Sequence, residues 1–500
     1  MESVTSPQNH PVESLGQQVR SAVIWRSGSQ ILAQMVQWAA TFMVIRILAP
    51  ADYGLFAMAQ VILVLLNMLN GYGLASGLIQ QPEISSRQIR QLFGMLLLVN
   101  GALALAQLCL APLAAAYYRQ PVVGDMLRVQ ALLYLTTPFI ALPYALLSRS
   151  MDFSKQAVVN VVASIASATT ALAGAYAGLG VWTLVVAPVA LYCVRAVGMT
   201  LAARSLVWPM FDFRGAGHLA RYGGVMAAGQ FFWFIESQAD IFIAGRSLNP
   251  HLLGIYTTSL FLTQIFVAKV VPPLNEVAFS AYARIQHDDA AVARAFVRSV
   301  RFIMVIAMPF YLGLAATAEP LVITMLGSKW AEAVPVVRLL ALAMPLMTLQ
   351  VLFSPACDAR GRPGISVRNG ATGAAILLPA YLVGVQWGIT GLCVSWLVAY
   401  PLYLGFSLWR SLPVIGLTPG QLAEAICASI VAAFAMGAIV LAVDHMLPPL
   451  GPPIRLALLV ATGIAAYGGW LALFSRAVVD EVIAVARRKP QSGAAIQPAG

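Results

Sequence analysis

Apolar stretches of about 20 residues, each long enough to cross a bilayer core, follow one another along nearly the whole chain with only short polar turns between them. The runs are continuous and do not alternate polar with apolar, so the pattern predicts helices and not the strands of a membrane barrel. About fourteen helices are expected. Six lie near 21–48, 53–79, 89–117, 126–148, 154–178 and 180–203. Six more lie near 217–245, 252–281, 297–318, 335–357, 364–384 and 387–410, and two last ones near 420–442 and 453–475. The expected fold class is an all-α polytopic membrane protein.

A repeat divides these helices. Arg46-Ile47-Leu48-Ala49-Pro50-Ala51-Asp52-Tyr53-Gly54 returns 200 positions later as Arg246-Ser247-Leu248-Asn249-Pro250-His251-Leu252-Leu253-Gly254, with Arg, Leu, Pro and Gly in register. Gln30, Ala39 and Phe42 match Gln230, Ala239 and Phe242 at the same offset. Further on, Gly180-Val181-Trp182-Thr183-Leu184 resembles Gly388-Ile389-Thr390-Gly391-Leu392. In each copy a helix stops before Pro and a new one opens, with Gly easing its start. Two matched six-helix lobes follow, at 21–203 and 217–410, joined by a linker at 204–216. Residues 1–20 and 476–500 form tails, and 411–475 hold two additional helices without counterpart. Six is an even number, so both lobes share one orientation, related by an axis along the membrane normal.

Composition agrees with the pattern: charged residues are 10% of the chain, where a soluble domain carries about 25%. Mean hydropathy is +0.80. The first 20 residues hold Glu2 and Glu13, are polar throughout, and lack the apolar core of a secretory signal, so they are expected to remain as a tail. The five cysteines are embedded in apolar sequence and are expected as free buried thiols. The five histidines are scattered, so no metal and no cofactor is expected.

The formal charge of +11 gains meaning from its distribution. With an even span count, 20 of the Lys and Arg residues fall on the side of the two tails, and seven on the other: Arg46, Arg119, Arg128, Arg246, Lys329, Arg338 and Arg455. That bias places both termini in the cytoplasm and absorbs the basic excess, leaving no reason to expect a nucleic-acid partner.

Polar side chains within spans are costly in lipid and face protein or a wet cavity. In the first helix Arg26, Gln30, Gln34, Gln37 and Thr41 fall on one face, where they either fasten helices together or line a hydrated lumen. The second helix adds Asn67, the seventh Gln230, Glu236 and Asp240, and the eighth Lys269 and Glu276. Lys269 and Glu276 stand seven residues apart, at a spacing open to an ion pair. Glu236 and Asp240 stand four apart. Two such carboxylates disfavour double ionisation, and they are candidates for coupling to an ion gradient, with pairing to an Arg as the structural alternative.

No Asp-x-Asp, Walker or Rossmann run is present, and the loops leave little room for chemistry outside the bilayer, so the chain is not expected to be an enzyme. The runs Trp25-Arg26-Ser27-Gly28-Ser29-Gln30, Arg46 to Ala59, Gly71-Tyr72-Gly73-Leu74-Ala75-Ser76-Gly77-Leu78-Ile79-Gln80, and Arg149-Ser150-Met151-Asp152-Phe153 resemble the bacterial polysaccharide transporters, the Wzx-like flippases. The resemblance is strong over about the first 185 residues.

It implies the multidrug/oligosaccharidyl-lipid/polysaccharide superfamily fold, two bundles facing each other across a central cavity. It also implies a cargo of undecaprenyl-pyrophosphate-linked glycan, moved across the bacterial inner membrane during exopolysaccharide, capsule or O-antigen synthesis. Membrane lipid, a polysaccharide polymerase and chain-length or export proteins would be its partners. On that reading Arg26 and Lys269 attract the pyrophosphate, while Gln30, Gln34, Gln37, Asn67 and Gln230 hydrate the glycan. A cation-coupled drug exporter of the same fold would instead need an acidic, aromatic-walled cavity. A lipid II flippase and, remotely, a glycan polymerase or glycosyltransferase are further alternatives.

Overall fold

The computed structural model describes residues 15–69, 85–150, 152–212, 217–474 and 476, with side chains from residue 28 in the first helix and from residue 232 in the seventh. Among these residues it consists of helices and turns, with no strand. The chain divides into two compact units, 1–231 and 232–500.

The first unit holds α1 (Leu15–Ile47), α2 (Pro50–Asn67), α3 (Ser86–Tyr118), α4 (Pro121–Arg149), α5 (Phe153–Tyr176) and α6 (Trp182–Ala203). α7 (Gly217–Ser247) crosses into the second, which continues with α8 (Pro250–Arg284), α9 (Asp289–Ala316), α10 (Ala333–Ala359), α11 (Pro363–Gly384) and α12 (Gly388–Ile415). α13 (Pro419–Met446) and α14 (Pro452–Phe474) complete it. Eleven stretches among the described residues are long and apolar enough to cross a membrane, one of them the α11–α12 hairpin. The predicted 53–79 span is described only as far as residue 69.

Each unit repeats one set of neighbours: α5 lies along α6 as α11 lies along α12, and α4 packs on α3 and α6 as α10 packs on α9 and α12. In the first unit α1 runs along α5. The two additional helices attach to α9 through α13, with α14 on α13. Tyr467 of α14 donates to the Val305 carbonyl at 2.9 Å, and Arg455 pairs with Asp444 at 2.6 Å and with Glu319 at 3.3 Å.

The repeated turn keeps its shape but not its capping chemistry. Leu48 N donates to the Val44 carbonyl, and Leu248 N to the Ala244 carbonyl, before proline opens the next helix at its first position, where its missing N–H costs nothing. The α2 start is closed by Asp52, whose carboxylate accepts from Ala49 N at 3.0 Å. The α8 start is closed by Asn249, which accepts from Leu252 N at 2.8 Å. Gly54 and Gly254 are buried inside the helices and not at the turn, so small size is what these positions use, and the sequence expectation of an eased helix start is corrected.

A true left-handed residue stands at Gly180 (φ 56°), where the α5–α6 turn brings the chain against Asp52. In the α11–α12 hairpin Gly384 and Gly391 approach so closely that a Cβ on either would lie 2.6 Å or less from the other's carbonyl oxygen.

Prolines mark two of the interruptions in the long helices. α4 breaks at Thr137, before Pro138, and α8 breaks at Val270, before Pro272 and Pro273. The break in α8 separates Lys269 from Glu276. Both are exposed and form no ion pair among the described residues, because the seven-residue spacing no longer keeps one helical face.

Large apolar side chains such as Leu113, Val197, Leu201 and Ile464 project outward, as a lipid-facing surface requires. Inside, polar groups are held locally: Asn100 donates to the Leu96 carbonyl and Gln107 to the Leu127 carbonyl. All five cysteines are free. Only Cys357 and Cys393 are buried, so the expectation of burial fails for Cys109, Cys193 and Cys427. After α6 the chain runs extended along the start of α3. Met210 N donates to the Arg90 carbonyl, Arg90 Nε to the Trp208 carbonyl, Gln91 to the Asp212 carbonyl, and Arg87 pairs with Asp212 at 2.8 Å.

Candidate functional site

A cavity of about 710 Å³ lies within the first unit, enclosed by α1, α4, α5 and α6. Gln30, Gln34 and Gln37 line it from α1, Tyr144 from α4, Gln156, Asn160 and Ser164 from α5, and Arg195 from α6. The positions 30, 34 and 37 recur at helical spacing, which is why three carboxamides reach one space. None of the three makes a hydrogen bond to another helix among the described residues, as helix-fastening side chains would.

Among the described residues Arg195 supplies the only cation of this lining, and no carboxylate faces it. Its Nε is enclosed and without a hydrogen-bond partner among the described residues. Gln156 is buried and fixed: its amide nitrogen donates to the Tyr144 carbonyl at 3.2 Å and to Ser148 Oγ at 3.0 Å. With both donors engaged, its carbonyl oxygen remains as a fixed acceptor.

The second unit carries the two carboxylates. Asp240 is buried. Its Oδ2 accepts from the Tyr256 hydroxyl at 2.6 Å, its Oδ1 from Ile241 N at 2.8 Å, and Tyr256 itself accepts from Trp396 Nε1 at 2.8 Å. Glu236 accepts from the Tyr403 hydroxyl at 3.3 Å, which in turn accepts from Gln350 at 2.6 Å. Trp396 stacks on Tyr400 with ring centroids 4.9 Å apart, and Tyr381 and Tyr403 extend the group to either side. Neither carboxylate has an Arg or Lys partner among the described residues; phenols stand where the sequence suggested a basic residue.

The remaining sequence candidates lie elsewhere. Asn67 is exposed at the last residue of α2, and Lys269 is exposed beside the break in α8, in the other unit from the cavity. Arg26 and Gln230 fall on α1 and α7, but their side chains lie outside the described residues. Sequence reasoning misses Arg195, Gln156 and Asn160. Arg195 had a signal: an Arg inside an otherwise apolar span is by default a functional position.

Helices throughout, many long enough to span a bilayer, define a multi-pass membrane protein. Its fold resembles that of two solved membrane proteins: lipid II flippase MurJ in the inward closed conformation aligns with a TM-score of 0.73 at 11% identity, over 91% of this chain and 100% of that one. An inward-facing multidrug resistance MATE family transporter of the MOP superfamily aligns at 0.56 and 12%, over 81% and 99%.

Residues 43–335 match the polysaccharide biosynthesis protein family, and the chain belongs to it. Among its relatives, the succinoglycan biosynthesis transport protein ExoT of Rhizobium meliloti is 27% identical over 70% of this chain and 72% of that one. The teichuronic acid biosynthesis protein TuaB of Bacillus subtilis is 21% identical over 79% and 85%. The lipopolysaccharide biosynthesis protein WzxC of Escherichia coli is 22% identical over 71% and 72%.

Proposed function

We propose that this protein is a flippase that carries undecaprenyl-pyrophosphate-linked oligosaccharide units across the bacterial inner membrane, by alternating access, for exopolysaccharide, capsule or O-antigen synthesis. The observation that supports this most is the chemistry of the first-unit cavity, whose described lining holds five carboxamides, one arginine and no carboxylate. Sugars and phosphate left unsatisfied in hydrocarbon cost several kcal/mol for each polar group, so a carrier must offer donors and acceptors in place of water. A cavity of this charge suits an anionic polyol and disfavours the cationic, flat cargo of a drug exporter. The relatives' roles in succinoglycan, teichuronic acid and lipopolysaccharide biosynthesis point the same way.

The step is transport, with no bond made or broken. Both termini stand in the cytoplasm on the basic-residue bias. Glu236 and Asp240 serve as the coupling pair: carboxylates held by the Tyr403 and Tyr256 hydroxyls with no cation beside them among the described residues suit the uptake and release of a proton by the carboxylates themselves.

Purified protein in proteoliposomes tests the reading. A fluorescent lipid-linked oligosaccharide should become accessible to an outside quencher faster than in protein-free vesicles, and faster still with an imposed proton gradient. Equal rates with and without protein would overturn it. Rescue of a strain lacking its peptidoglycan flippase would reassign the cargo to lipid II.

A further inference from the structure

We infer that the first-unit cavity is a saccharide-phosphate site in which Arg195 is the anchor for phosphate. This rests on the functional reading above and assigns the anion-binding role to a residue of the described lining.

An arginine within a span ordinarily satisfies itself by reaching the headgroups. Arg195 stands eight residues before the end of α6, roughly 12 Å along the helix axis, which exceeds the reach of its side chain. It also lacks the other ordinary solution, a carboxylate partner, because no acidic residue lines the cavity and it makes no hydrogen bond or ion pair among the described residues. A half-buried guanidinium whose Nε is enclosed, with no counter-ion among the described residues, is a site open to an anion. Phosphate meets the guanidinium fork with two parallel hydrogen bonds, which a point charge cannot offer.

The neighbours fix the rest of the ligand's chemistry. Gln30, Gln34, Gln37 and Asn160 have no hydrogen-bond partner among the described residues, and each carboxamide offers both donors and an acceptor. Gln156 adds an acceptor that its two protein bonds hold in place. Hydroxyl-rich sugar matches such a wall, since every hydroxyl both donates and accepts. Tyr144 and Phe153 supply the flat apolar faces on which a sugar ring can rest.

The experiment compares two probes on the full-length protein in detergent: N-acetylhexosamine linked through pyrophosphate to a short prenyl chain, and the same sugar on the prenyl alcohol without phosphate. Wild-type protein should bind the pyrophosphate probe at least tenfold tighter than the alcohol, with affinity falling as salt rises. Arg195→Gln should lose that preference while binding the alcohol as before. Arg195→Lys, which keeps the charge and loses the fork, should fall between.

Equal affinity of wild type and Arg195→Gln for the pyrophosphate probe would overturn the inference and leave the flippase reading standing. If Arg195→Gln does not fold, the wild type and Arg195→Lys decide: phosphate binding that ignores both salt and the Lys change overturns it. Wild-type protein that binds neither probe overturns the functional reading itself.

Discussion

In the first unit, α1 turns Gln30, Gln34 and Gln37 toward open space beside Arg195. In the second unit its counterpart α7 turns Glu236 and Asp240 into a block of aromatic rings. The helices are equivalent but the positions are not: at the 200-residue offset of the repeat, Glu236 and Asp240 correspond to Val36 and Ala40. Carried 208 residues onward, the offset between the Gly180 and Gly388 turns, Arg195 falls on Tyr403, which donates to Glu236. One copy has thus kept room and a positive charge; the other has filled the room and taken negative ones. The difference teaches that a duplicated scaffold separates its duties through what its equivalent helices carry, while its turns and helix neighbours stay alike.

That contrast can be broken most forcefully at Trp396, which is buried, stacked on Tyr400 and donating to Tyr256. Trp396→Ala should cost about 3–5 kcal/mol, read as a large drop in the thermal midpoint in detergent. A shift within error would mean that the second unit is as open as the first.

Tyr256→Phe follows at about 1–3 kcal/mol, because it strips partners from both Asp240 and Trp396 without removing volume. The same measurement serves, and the variant should also weaken the response of transport to a proton gradient.

A smaller effect separates the two units at equivalent helix starts. α5 is capped by Asp152, which accepts from Lys155 N at 3.3 Å, whereas α11 follows Arg362 with no side-chain cap. Asp152→Ala should cost about 1 kcal/mol. Hydrogen bonding from Lys155 holds the Asp152 carboxyl below the usual range. Its contribution is therefore full above the unfolded-state value and fades as pH falls through the lowered one. Melting curves at descending pH should bring variant and wild type together.

Least disturbing to the fold is Gln34→Leu: with no hydrogen bond to lose, stability should stay within about 0.5 kcal/mol while translocation falls. A marked loss of stability there would return the glutamines to the role of helix fasteners.

The fold was legible because its signals are local and repeated. Span length and short turns each depend on one stretch of sequence at a time, and the structure's helices follow them from α1 to α14. Gln30, Gln34 and Gln37 were legible for the same reason, sharing one face of one helix. The aromatic group was not, since Tyr256, Tyr381, Trp396 and Tyr403 come from three helices and no spacing rule announces their convergence. Lys269 and Asn67 show the opposite error. Residue type inside a span suggested a lining role, but a proline break and a helix end put them at the surface.

The turn between α1 and α2 has a consequence for synthesis. Only Leu48 and Ala49 separate the two helices, and two residues reach about 7 Å. A chain emerging from the ribosome therefore has no slack with which to park one helix in the bilayer while the other waits in water. The pair must enter as a unit, and the turn at Leu248 and Asn249 imposes the same rule on α7 and α8. What the repeat preserves is the short connection that ties each such pair together.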